Sequence, residues 1–180
     1  LTVSCIRGNI YDVNGNLLAY NKISYTLIFG NSTSLPETAE NLNLSENKLK
    51  NRIISSTLSI LKENGDDLDA SINIRYKDGK YSYNISGQQL NYFLKDVFAV
   101  DTVDDLTDEQ KRTTAEETVK YLKKIFEIGS SEYDEETAFK ILCCRYNLWL
   151  NRFQQYVPVE VAHNISEKSR EIGRASCRER

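Results

Sequence analysis

The chain has one histidine and four cysteines in 180 residues, with no CxxC pair, and that poverty excludes both a zinc centre and a disulfide framework. Cys143 and Cys144 are adjacent, a spacing that disfavours a mutual bridge, so they read as buried thiols on a helix, while Cys5 stands alone. Two prolines and eight glycines are too few for a low-complexity linker, and no glycine-rich phosphate loop is among them. No apolar run reaches the roughly 20 residues of a membrane span, and none follows a basic leader. The chain begins at Leu1 without methionine, and its natural start is expected to lie earlier. The last ten residues, 171–180, which include Cys177, match a translated sequencing adapter and are set outside the fold. Without their three arginines and two glutamates, 20 Lys+Arg face 24 Asp+Glu, so nucleic acid is not an expected partner. At 40% hydrophobic and 27% charged, the chain suffices to bury one core or two small coupled ones.

Residues 9–13 and 16–20 form two short apolar-rich segments meeting at Asn14-Gly15, a pair suited to the positive φ angles of a type I′ hairpin turn. Residues 24–29 are β-branched and aromatic, and predict a third strand ending at Gly30. From about Pro36 the periodicity changes. Leu49, Ile53, Ile54, Thr57, Leu58 and Leu61 follow three- and four-residue spacing, which predicts an amphipathic helix up to Asn64-Gly65. Asp78-Gly79 predicts a second hairpin between residues 71–76 and 81–86, followed by a short helix over 88–98. Thr113 and Thr114 precede Glu116 and Glu117 by three residues, giving two overlapping capping boxes. The helix they open would bury Val119, Leu122, Ile125 and Phe126 and stop at Gly129. A last helix from about Glu135 places Ala138, Ile141, Leu142, Trp149 and Phe153 on one face, with Asp134, Glu135 and Glu136 at its positive end. The chain then extends over 156–162, and Asn164 or Ser166 caps a new helix.

Chemistry is present only in outline. Ser45-Glu46-Asn47-Lys48, Ser71-Ile72-Asn73 and Lys77-Asp78-Gly79 match or approach the SxxK, SxN and KTG motifs of serine transpeptidases, but they fall within 35 residues. A transpeptidase must run several helices and a sheet between those motifs. Here they read as a helix start, part of a strand and a hairpin turn. Asp101, Asp104, Asp105, Asp108 and Glu109 read as a solvated loop compensating helix ends; a calcium reading lacks the EF-hand spacing and glycine. Eleven tyrosines occur, of which Tyr81, Tyr83, Tyr92 and Tyr133 read either as core and strand packing or as an exposed protein-binding surface.

Arg7, Gly8, Ile10, Asp12, Asn14, Gly15, Leu18 and Ala19 resemble the opening signature of the penicillin-binding proteins, in which arginine usually stands at the place of Val13. The resemblance returns late, where the succession from Arg145-Tyr146 through Tyr156, Pro158, Val159 and Ala162 to Ile165-Ser166-Glu167 follows the family's arginine helix, extended strand and helix start. The chain thus resembles the N-terminal dimerisation, or pedestal, domain of a class B penicillin-binding protein of the elongation type (penicillin-binding protein 2-like). That resemblance implies an α+β fold in which residues 1–35 and 154–170 make a sheet-rich base from both chain ends, carrying a mainly helical head lobe over residues 36–153. It implies a non-catalytic fragment with no cofactor and no metal. The parent would be a peptidoglycan D,D-transpeptidase of cell-wall synthesis and cell elongation, binding penicillin, on the extracytoplasmic side of the cell membrane. Implied partners are cell-wall synthesis proteins, a SEDS-type membrane glycosyltransferase and an elongation scaffold protein among them, with peptidoglycan reached through the missing catalytic domain. Two readings stand beside it: a stand-alone extracytoplasmic protein-binding module, and a small serine hydrolase using Ser45 and Lys48.

Overall fold

Tyr25, Leu27 and Phe29 alternate with the exposed Thr26 and Ile28, so one face of this strand turns inward, and the pairing it makes organises the molecule. A computed structural model describes residues 8–20, 24–30, 32–152 and 158–171. The fold is α+β. In chain order, β1 (Ile10–Tyr11), β2 (Leu17–Ala19) and β3 (Tyr25–Phe29) precede α1 (Leu35–Asn41) and α2 (Glu46–Glu63). Then come β4 (Ile74–Lys77), β5 (Lys80–Tyr83), α3 (Gln88–Phe98), α4 (Asp108–Lys111), α5 (Ala115–Ile125), α6 (Glu135–Leu150) and β6 (Val159–Ile165). Among the described residues, strands pair antiparallel in three two-stranded sheets: β1 with β2, β3 with β6, and β4 with β5.

The β3–β6 ladder joins segments well over a hundred residues apart, pairing Tyr25 with Ile165, Leu27 with Ala162 and Phe29 with Val159. Its register slips twice, and Asn164, at φ +55°, lies in the first irregular stretch, where β6 carries one residue more than β3. The ladder does not stand apart from the helices. Val161 belongs to the main core with Ile54 of α2, Leu94 of α3, Leu122 of α5, and Ile141 and Leu142 of α6. Each of these side chains is completely or almost completely buried, which stabilises the fold by about 1.5–3 kcal/mol apiece. A smaller cluster of Leu61, Ala162 and Ile165 packs the end of α2 on the same strand. The loop after α2 is stitched to it by polar bonds: Asp69 N–H donates to the Val161 carbonyl at 2.8 Å, and the Asp66 carboxylate accepts from Ser166 and Ser169. Ser166, not Asn164, therefore opens the helical turn over residues 167–171.

Helix starts follow the expected chemistry. Thr114 and Glu117 form a reciprocal capping box, as do Thr107 with Gln110 and Thr102 with Asp105, while Ser45 and Asp134 cap α2 and α6. Helix ends differ from expectation. The periodic segment from Pro36 is two helices, broken where Asn43 takes φ +52° and Ser45 starts again. The helix expected to run to Gly129 stops at Ile125, because Glu127 adopts φ +54°. There Ile128 N–H reaches the Lys123 carbonyl at 2.8 Å and Glu127 N–H reaches Lys124, the bonding of a Schellman closure. Phe153 and residues 1–7, with Cys5 and Arg7 among them, lie outside the described residues, as do 154–157 and 172–180.

Candidate functional site

Asp12 builds the signature hairpin. Its Oδ1 accepts from the backbone N–H groups of Asn14 and Asn16 at 2.9 and 2.7 Å, and its Oδ2 accepts from the Asn16 amide at 2.7 Å. Those bonds, led by the Asn16 side chain, hold the carboxyl below its ordinary range. The Gly15 N–H closes on the Asp12 carbonyl, and positive φ occurs at Gly15 (+81°) but not at Asn14. The expected two-residue type I′ turn is thus a three-residue loop, Val13 to Gly15, closed by a glycine in the left-handed region. The carboxylate of Asp12 enforces the longer loop, since it needs two N–H groups two and four residues ahead. Val13 is 98% exposed at the tip, so an arginine there would stand in solvent.

Ile10, Tyr11, Leu17, Leu18 and Tyr20 are all exposed, Leu18 at 66%, and Gly8 and Ala19 are exposed as well. A two-stranded ribbon of this size is marginally stable alone in water and gains stability when an apolar face is covered. The signature residues therefore form one structured element, with Arg7 outside the described residues.

The motif shadows have structural employment. Ser45 Oγ accepts from the Lys48 backbone N–H as the helix cap and donates to Glu127 Oε2, while Lys48 Nζ lies 4.0 Å from Glu132. The lysine is thus engaged away from the serine it would have to activate. Ile74–Lys77 pairs with Lys80–Tyr83 across Asp78-Gly79, both at positive φ, the I′ geometry expected there. Cys143 and Cys144 are buried free thiols, pushed up to about 12 by burial and so unreactive. In the acidic run, Asp105 belongs to the Thr102 box, and Asp108 and Glu109 sit in the first turn of α4. Tyr81 packs at a tilt against Tyr76 and Phe139 and donates its hydroxyl to Glu135; Tyr83 donates its hydroxyl to the Thr113 carbonyl at 2.9 Å. Tyr92 is exposed and Tyr133 half-buried, so of the four only Tyr92 faces water freely.

A polar cluster lies where α2, α5 and α6 meet. Asn51 Nδ2 donates to the Phe126 carbonyl at 2.8 Å and Glu127 at 3.2 Å, and Asn47 Nδ2 donates to the Ile125 carbonyl, so α2 satisfies the carbonyls left open at the end of α5. Arg145, 6% exposed, donates through Nη2 to Asn47 Oδ1 and lies 5.2 Å over the Phe126 ring. Burial lowers the guanidinium to about 10, which still leaves it charged at neutral pH. Glu127, the carboxylate nearest in effect, is held below its ordinary range first by Ser45 and then by Asn47. Sequence reading passed over this cluster. The available signal was a charge on an apolar stripe, since Arg145 continues the spacing of Ala138, Ile141 and Leu142.

His163 forms a second junction. Its Nδ1 lies 2.9 Å from Asp69 Oδ2 and its Nε2 lies 2.9 Å from Glu160 Oε2, so the ring bridges two carboxylates, and these contacts, Glu160 first, raise it above its ordinary 6.5.

A family model described as the penicillin-binding protein dimerisation domain matches residues 2–172. No curated protein gives a match.

Proposed function

Because the chain belongs to the penicillin-binding protein dimerisation-domain family, we propose that it is the pedestal of an elongation-type class B enzyme whose transpeptidase domain lies further along the same polypeptide. In that reading the pedestal is non-catalytic. The parent is a peptidoglycan D,D-transpeptidase that binds penicillin and serves cell-wall synthesis and cell elongation on the extracytoplasmic side of the membrane. Its partners are a SEDS-type glycosyltransferase and an elongation scaffold protein.

The observation that carries the reading is the signature hairpin: an ordered loop built by Asp12, flanked by five exposed apolar side chains. Residues fixed so closely and left uncovered support a surface completed by the rest of a larger protein. The Ser45, Ser71 and Lys77 segments support it negatively, each being used to hold the fold together or turn the chain.

The test begins with the uninterrupted gene beyond codon 170, which is expected to encode SxxK, SxN and KTG at transpeptidase spacing. The full-length product should acylate with a fluorescent penicillin, and the present chain should not. Leu18→Asp should lower the melting temperature of the full-length protein while leaving that of the present chain unchanged. A stop codon soon after 170 would favour the stand-alone module, and a stoichiometric adduct on the present chain, lost on Ser45→Ala, would favour the hydrolase.

A further inference from the structure

Arg145 opens onto a cleft of about 290 Å³ between α6, the end of α5 and the β3–β6 ladder. The wall is apolar at Phe29, Phe126, Leu148 and Trp149, and cationic at Arg145 and Lys50. Arg152, 4.3 Å over the Trp149 ring, adds a third positive group at the rim. Arg145 is more than nine-tenths buried, its Nε has no hydrogen-bond partner, and no carboxylate among the described residues lies within ion-pair distance of it. A buried guanidinium is costly unless an anion and further hydrogen bonds compensate it. Glu46 approaches Lys50 at 3.7 Å, but it reaches from the exposed first turn of α2 and does not meet Arg145. Lys50 is itself shifted downward, by burial first and by the Arg145 charge second, so two like charges face the cleft, while the carboxylates that act on them, Glu46 and Glu127, do not line it and neither forms an ion pair with Arg145. Outside the described residues the sequence has one acidic side chain, Glu179.

We propose that this cleft is a docking site for an acidic side chain of a partner protein, presented beside an apolar residue. Charge complementarity fixes the anion, since a carboxylate matches the guanidinium fork and can be shared with Lys50. The aromatic and aliphatic wall fixes the neighbour. The volume is at the small end of ligand pockets, enough for one or two side chains and too little for a large cofactor. The inference goes beyond the pedestal reading and stands on this cleft alone.

The experiment titrates the isotopically labelled chain with the capped tripeptide acetyl-Leu-Glu-Leu-amide and, separately, with its Gln counterpart. Saturable shifts are expected at the Arg145 Nε–H and Trp149 indole N–H, with a Kd on the order of 1 mM for the Glu peptide and at least about tenfold weaker binding for Gln. Lys50→Gln, a change on the cleft's exposed side, should weaken the Glu peptide several-fold, and added salt should do the same. Arg145→Lys should retain part of the affinity and Arg145→Gln should lose it; if Arg145→Gln unfolds, the Lys50→Gln and Glu-against-Gln comparisons decide. Equal response to the two peptides, or no saturable shift at these two positions up to about 10 mM peptide, overturns the proposal. No penicillin and no downstream domain enter this test, so its failure is separate from failure of the pedestal reading.

Discussion

Asn51 directs its amide at two backbone carbonyls in a place that water does not reach, while its own Oδ1 finds no partner. Asn51→Ala should therefore cost about 1–2 kcal/mol, the lost donor being partly offset by removal of an unsatisfied acceptor. Asn51→Asp, which turns acceptors toward those carbonyls, should cost more; urea midpoints at unchanged m would show the order. His163 differs because its contribution depends on protonation. Only the imidazolium donates from both nitrogens, to Asp69 and Glu160 together. Its folded value is raised, so the stabilisation is fully present below the ordinary 6.5 and is lost as pH climbs through the raised value. The difference in unfolding free energy between the parent and His163→Gln should accordingly shrink as pH rises above the ordinary 6.5, and a constant gap would contradict the bridge.

Four helices end in the same way, with a residue at positive φ and the paired backbone bonds of a Schellman closure: Asn43 after α1, Gly65 after α2, Ala99 after α3 and Glu127 after α5. Gly65 alone carries the usual glycine signal, which is why one helix end was legible and the breaks at Asn43 and Glu127 were not. Exposed Ala99 is strained at φ +54°, so Ala99→Gly should stabilise the protein by about 0.5–1 kcal/mol, read as a raised urea midpoint. Helix starts were readable because Thr114 and Glu117 are local, and so was the turn at Asp78-Gly79. Arg145 escaped because its burial depends on Asn47, 98 residues away, and the His163 bridge because Asp69 lies 94 residues away. The first hairpin departs from the two-residue loop its Asn-Gly pair predicts for a different reason: the Asp12 side chain outweighs the dipeptide preference. Gly15→Val should strain that loop by about 1–3 kcal/mol. The hairpin is largely uncovered, so the loss should appear as faster amide exchange at Asp12 and Asn16 and not as a lower global melting temperature.

At the scale of the whole molecule, the strand that closes the fold also completes its core. A chain ending at residue 157 would lose Val161 and Ala162, both fully buried, and leave β3 without its partner. Cooperative unfolding of such a truncation should disappear or move well below the parent's single transition by calorimetry; survival of the helices at the parental temperature would show that they fold independently. The ladder has one more property, and it concerns force. Tyr25 faces Ile165, so the chain entering β3 and the chain leaving β6 emerge at the same end, set by the strand spacing of about 4.8 Å. Everything between can lengthen or shorten without changing that spacing. Tension applied across the two flanks would load the hydrogen bonds one at a time, as in a zipper, and not all together in shear. The clasp that joins entry to exit is thereby a mechanical fuse, opening before the helices it encloses bear any load.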